Sequence, residues 1–194
     1  MQAVQKAMIY VFLADGFEEI EALTPVDMLR RAGVDVKTVC IYPDRESKIV
    51  MGSHGIPVTA DLSASETKEI PALLEMVVLP GGMPGSKNLD ESALVDTYLQ
   101  YAAEKDLYMA AICAAPMVLG RRGLLNGKRA VCYPGFEDEL KGATVTDSAV
   151  EMDGKIITAC GMGAAVKFGG VLVRLMKGED EEKSMLSAIL ADRV

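Results

Sequence analysis

Short, continuous apolar runs separated by amphipathic stretches most narrow what this chain can fold into. Met8-Ile-Tyr-Val-Phe-Leu-Ala14 and Glu75-Met-Val-Val-Leu79 lack the polar alternation of a strand with one wet face. Strands buried on both faces belong to a parallel sheet, and the stretches between them read as its covering helices. Phe17 to Ala32, closed by Gly33, is one such stretch; Leu89 to Lys105 and Ala114 to Arg122 are others. Val34 to Ile41 and Leu107 to Ile112 add strands. Ala130–Cys132, Thr144–Thr146 and Lys155–Thr158 are short β-like pieces, and Ala164–Met176 and Glu181–Asp192 are helical. The segment from Pro43 to Pro57 is loop-rich, with a β-hairpin expected near Ile49-Val50 and Ile56-Val58. No repeat or linker divides residues 1–194, so one α/β domain is expected.

The composition removes several functions. Lys and Arg number 20 against 28 Asp and Glu, a net charge of −8, and no basic patch longer than a dipeptide offsets it. Nucleic-acid and anionic-membrane binding are therefore not expected. The chain has one histidine, His54, which excludes sites built on two histidines. The four cysteines, at 40, 113, 132 and 160, form no C-x-x-C pair. No metal and no cofactor are expected. The apolar run after Ala7 is broken by Asp15 and lacks a signal-peptide shape, and no stretch approaches a membrane span. A cytoplasmic setting with free thiols follows.

In an open parallel sheet, ligands bind beyond the carboxyl ends of the strands. Three unusual sequences follow three of the expected strands: Asp15-Gly-Phe-Glu-Glu-Ile-Glu21, Pro80-Gly-Gly-Met-Pro-Gly85 and Cys113-Ala-Ala-Pro116. Cys113 ends a strand and opens a helix among small residues, as in a nucleophile elbow. A helix N-terminus would favour its thiolate and lower its pKa, although a free cysteine is commonly an inert core residue. Cys40, Cys132 and Cys160 read as packing residues. Glu18, Glu19 and Glu21 suit a first helical turn. Pro25 removes the partner of the Glu21 carbonyl, so an interruption close to Glu21 is expected, aiming that carboxyl inward with a raised pKa. Gly81-Gly82 would let backbone N–H groups approach an oxyanion, or would simply make a tight turn. Gly161-Met-Gly163 is not a dinucleotide fingerprint, because position 166 is Val. His54 reads as a loop residue.

Taken together, these stretches resemble the ThiJ/PfpI superfamily, in its parkinsonism-associated deglycase branch. The match includes Pro25-Val-Asp-Met-Leu-Arg-Arg-Ala-Gly33, Val77-Val-Leu-Pro-Gly-Gly82, Asn88-Leu-Asp-Glu-Ser92, Ala110-Ala-Ile-Cys-Ala-Ala-Pro116 and Asp153-Gly-Lys-Ile-Ile-Thr158. The resemblance implies a flavodoxin-like three-layer sandwich of the class I glutamine amidotransferase type, and a homodimer. It also implies a nucleophilic, oxidisable Cys113, hydrogen-bonded by the Glu21 carboxylic acid. Gly81, Gly82 and Ala114 would offer N–H groups to an oxyanion, and His54 falls where an Arg often enters from the partner subunit. Two residues depart from the pattern. Tyr133 stands before Pro134 where some relatives have a His, which disfavours the Cys-His dyad of the protease-, amidase- and hydratase-like branches unless His54 arrives from a partner subunit, and Cys160 replaces a residue that is often polar.

The implied activity is a cysteine-dependent glyoxalase or deglycase acting on methylglyoxal or early glycation adducts. The alternative is an oxidative-stress sensor or chaperone whose Cys113 becomes a sulfinate without turnover. A thiazole monophosphate role lacks any phosphate-binding motif here.

Overall fold

The apolar run of residues 8–13 forms β1 (Met8–Leu13) inside a seven-stranded sheet, in a computed structural model that describes residues 7–193. α1 (Glu19–Arg31) crosses to β2 (Asp35–Cys40), and a two-stranded hairpin follows, β3 (Ile49–Met51) with β4 (Pro57–Thr59). The short β5 (Leu62–Ser63) pairs with β2 at one edge. The chain then returns to the other side of β1 through β6 (Leu74–Leu79), α2 (Gly85–Asp90), α3 (Ala93–Glu104) and β7 (Tyr108–Ile112). After α4 (Pro116–Arg121) come the small pair β8 (Arg129–Ala130) and β9 (Thr144–Val145), then β10 (Val150–Asp153) and β11 (Ile156–Ala159). α5 (Ala165–Lys177) and α6 (Glu179–Ala188) complete the elements that place the site.

The sheet order is β10-β11-β7-β6-β1-β2-β5, parallel throughout except for β10 against β11. This is the expected three-layer α/β arrangement. One core lies between the sheet and α1 with α5, centred on Leu29, Phe168 and Leu172. The other lies under α3 and α4, where Phe12, Tyr98, Leu99 and Val118 meet. Ile9, Val11 and Leu13 face the first layer; Tyr10 and Phe12 face the second. That alternation explains the unbroken apolar run. Gly169 lets α5 lie directly on α1, since a Cβ there would come within 2.6 Å of Met28 Sδ.

Three local expectations are corrected. α1 runs without interruption through Pro25, which is buried inside it; only the single bond to the Glu21 carbonyl is forgone. The stretch from Leu89 to Lys105 is two helices, because Ser92 caps a new start by accepting from Val95 N–H at 3.4 Å. β10, and the edge strand β5, were not anticipated; both are short and half-wet. The hairpin lies where it was expected.

Candidate active site

β2 follows β1 on one side and β6 lies on the other, so the sheet reverses its winding between β1 and β6. A crevice forms at such a switch point beyond the strand ends. Here it is lined by the loops after β1 and β6 and by the turn after β7. The first two loops are stitched together: Glu18 N–H donates to Gly81 O at 2.9 Å, and Gly85 N–H to Gly16 O at 3.1 Å. This brings the glycine pair against the first turn of α1.

Cys113 occupies the turn after β7 with φ +66°, a left-handed conformation that costs a non-glycine residue about 1–3 kcal/mol. The backbone holds it there from both sides. Cys113 N–H donates to Ala159 O, and Tyr133 N–H donates to Cys113 O, each at 2.8 Å. The strained turn lifts the thiol off the sheet and toward Glu21, as the elbow reading expects.

Glu21 is 1% exposed. Its backbone is fixed by Glu18, whose Oε2 accepts from Glu21 N–H at 2.7 Å as the helix N-cap. The Glu21 Oε2 is buried and has no hydrogen-bond partner. It faces Gly81 and Cys113: a Cβ at Gly81 would collide with this oxygen and with the Cys113 Cβ. Glycine at position 81 is therefore a steric requirement of the pair. Gly82 has φ +89°, a second reason for a glycine there.

Burial pushes the Glu21 carboxyl up to about 7; Glu18 adds to the rise, while Cys113 and the N–H groups of Gly81 and Met162 pull against it. Burial and the neighbouring Glu21 push the Cys113 thiol up to about 12, against a pull from the N–H groups of Gly82 and Ala114. The lowered thiol pKa expected from a helix N-terminus is thus corrected. α4 begins only at Pro116, three residues on, and burial beside a carboxyl outweighs the local donors. Above about 7 the pair holds one proton, on the sulfur, and Glu21 stands ready as the base.

The structure brings Cys113, Glu21, Gly81, Gly82 and Ala114 together. Gly82 and Ala114 direct N–H groups toward the sulfur, whereas the Gly81 N–H serves the Glu21 carboxyl. His54 stays outside this group. Its side chain is exposed, and its Nδ1 pairs with Glu19 Oε2 of the same chain at 2.8 Å. Tyr133, half-exposed, lies beside Gly161 at the rim. Reading Glu18 only as a helix-turn acid misses its capping of Glu21; its place three residues before that buried carboxyl is the available signal. Glu18, Glu19 and His54 form the only group of three metal-ligating side chains among the described residues. The His54–Glu19 ion pair uses those ligand atoms, so the cluster does not argue for a metal.

A reversal point in a parallel sheet, with a cysteine on a strained elbow against a buried carboxyl, defines an α/β protein with a cysteine-bearing elbow at its switch point. The chain belongs to the DJ-1/PfpI family, whose model matches residues 7–175. It is 32% identical over 182 residues to Protein dj-1beta of Drosophila melanogaster, covering 93% of this chain and 95% of that one. It is 33% identical over 174 residues to the Parkinson disease protein 7 homolog of Danio rerio, covering 88% and 89%. It spans only 46% of the length of Protein DJ-1 homolog A of Arabidopsis thaliana, at 32% identity over 94% of this chain. Among solved structures, oxidized Toxoplasma gondii DJ-1 superposes with a TM-score of 0.88 at 32% identity, covering 95% of this chain and 98% of that one. A DJ-1 superfamily protein from Salmonella typhimurium gives 0.87 at 34% identity, covering 95% and 98%. Among the described residues no helix is long and apolar enough to cross a membrane.

Proposed function

We propose that the protein is a cysteine-dependent enzyme of stress defence that acts on small reactive carbonyls such as methylglyoxal, or on their early adducts with amines. The observation that carries this reading is the unpartnered Glu21 Oε2 facing Cys113. A buried carboxyl with a pKa of about 7 is matched to moving a proton at neutral pH.

In the glyoxalase form of the reaction, the Cys113 sulfur attacks the aldehyde carbon as its proton passes to Glu21. The carbonyl π pair becomes an oxyanion held by the N–H groups of Gly82 and Ala114, and protonation gives a hemithioacetal. Glu21, again a carboxylate, removes the proton from the former aldehyde carbon. Returning it to the neighbouring carbon leaves a lactoyl thioester, which water cleaves to lactate and free thiol. In the deglycase form the same attack expels an amine from a glycation adduct. Both use the same residues. Wild type converting methylglyoxal to lactate, with Cys113→Ser inactive, would support the reading. Equal turnover by the variant would overturn it.

A second reading is a redox sensor, in which Cys113 is oxidised to a sulfinate that accepts a hydrogen bond from protonated Glu21. The oxidized state of the Toxoplasma gondii relative favours keeping it. Peroxide-dependent modification of Cys113 without any carbonyl turnover would select it. We further propose a cytoplasmic homodimer. Ile20 on the first turn of α1, with Ile49, Met51 and Ile56 on the docked hairpin, exposes apolar surface that a second copy would cover. A monomer mass in light scattering would count against it.

A further inference from the structure

We infer that Cys160 is a resolving thiol for Cys113, so that oxidation by a peroxide ends in a reversible intramolecular disulfide. This rests on the reading of Cys113 as the reactive thiol and adds a second sulfur to that site.

The placement comes from the sheet. β7 and β11 are parallel neighbours with Ile112 opposite Ala159. The ladder ends at this pair, closed by Cys113 N–H donating to Ala159 O at 2.8 Å. Cys113 and Cys160 are the next residue on each strand, and the amide of one donates to the carbonyl directly bonded to the other. Strands spaced about 4.8 Å apart at that last pair deliver the two residues to the separation of about 4.4–6.8 Å between Cα atoms that a disulfide needs.

The side chains also share a face. Ile112 and Ala159 both face the layer of α1 and α5. Strict alternation would turn the next residue of each strand to the opposite layer. Neither turns: Cys113, at φ +66°, and Cys160 both pack against the same α1–α5 core. Both are partly exposed, so a small oxidant can reach them. The other two cysteines do not qualify. Cys132 packs into the opposite layer, and Cys40 ends β2, three strands from β7.

The chemistry balances with a hydroperoxide as oxidant. The Cys113 sulfur attacks the peroxide; the O–O bond breaks, and the leaving oxygen departs with the proton held by Glu21. Cys113 is then a sulfenic acid. The Cys160 sulfur attacks it, the S–S bond forms, and the S–O bond breaks with release of water. Two thiols lose two electrons and two protons, and hydrogen peroxide becomes two waters. Disulfide formation competes with the second oxidation that would make Cys113 a sulfinate.

The test is non-reducing peptide mapping after treatment of the reduced protein with hydrogen peroxide, free thiols then being alkylated. In wild type, the peptides containing Cys113 and Cys160 should appear joined, about 2 Da lighter than their sum, and dithiothreitol should separate them. In Cys160→Ser and Cys160→Ala, Cys113 should instead gain about 32 Da as sulfinate, several-fold faster than in wild type. Sulfinate on Cys113 beside alkylated, unoxidised Cys160 in wild type overturns the resolving role but keeps the reactive Cys113. Alkylated, unoxidised Cys113 in every sample overturns both. The wild-type result stands alone if the variants fold poorly.

Discussion

Glu19 and Glu21 sit two residues apart on one helical turn, both nearly inaccessible, at 4% and 1% exposure. Their carboxyls behave oppositely. Burial alone would raise Glu19, but the His54 ring and the backbone N–H groups of His54 and Ile56 hold it at about 2. Glu21 has an oxygen with no partner and rises to about 7. At Glu19 the summed donors outweigh desolvation, whereas at the deeper Glu21 desolvation outweighs the donors. Glu19 faces the hairpin and anchors it: His54 N–H donates to Glu19 Oε1 at 2.8 Å, beside the ring contact to Oε2. Glu21 faces the sheet end and is left free to exchange a proton with sulfur. One is a fastener, the other a reagent.

Replacing the two sides of this comparison should therefore give different readouts. The largest effect belongs to Cys113→Ser, which should lower methylglyoxal turnover by roughly 10³-fold or more while leaving the melting temperature almost unchanged. Steady-state lactate production and a thermal scan check both halves. Gly81→Ala should damage activity and fold together. Its methyl must displace the Glu21 and Cys113 side chains, at a cost of about 1–3 kcal/mol; denaturant unfolding with an activity assay reads this.

Glu21→Gln keeps a hydrogen-bonding side chain and removes the proton exchange, so turnover should fall by about 10²–10⁴-fold. Its stability should rise. The folded pKa of Glu21 lies above its ordinary 4.5, so its stabilising contribution is full below 4.5 and is lost as the pH climbs through about 7. Above that pH, Glu21→Gln should exceed wild type by roughly 3 kcal/mol, the linkage value of such a shift. Urea unfolding at pH 5 and pH 8 measures the difference.

Glu19 has the reverse sign. Its folded pKa is depressed, so its contribution is full above 4.5 and is lost as the pH falls through about 2. Glu19→Ala should destabilise by about 1–3 kcal/mol by stripping acceptors from the hairpin donors. It should lower turnover far less than Glu21→Gln. The smallest effect is expected for His54→Ala. Its exposed ring contributes little to global stability, and the change should appear as faster amide exchange confined to the hairpin and its contact with Phe17.

The sheet was legible because β1, β6 and β7 are buried on both faces, and their apolar runs admit few other elements. The edge strands were not: β5 is two residues long, and β10 mixes Glu151 and Asp153 with apolar positions. The site was legible in its members, because three unusual sequences had to follow three strands. Its electrostatics were not. The thiol pKa depended on how far α4 starts from Cys113, and that of Glu21 on how deeply its carboxyl is buried. Pro25 pointed to the right residue for the wrong reason: the helix does not break, and Glu21 turns inward because its side of α1 packs on the sheet. The hairpin was foreseen, yet its attachment was not. That attachment needs Asp15, which accepts from Arg45 at 2.9 Å and from Met51 N–H at 2.9 Å, contacts across more than 29 residues of chain.

The central claim is that Glu21 ionises near neutral pH and then serves as the base for Cys113. The rate of Cys113 alkylation by iodoacetamide, followed by peptide mass between pH 5 and pH 10, tests it most directly. Wild type should show a rise with a midpoint near 7, where Glu21 ionises, and Glu21→Gln should lose that rise and react only at the alkaline end. Identical profiles for the two proteins, each rising only around the ordinary thiol value of about 8.5, would contradict the account.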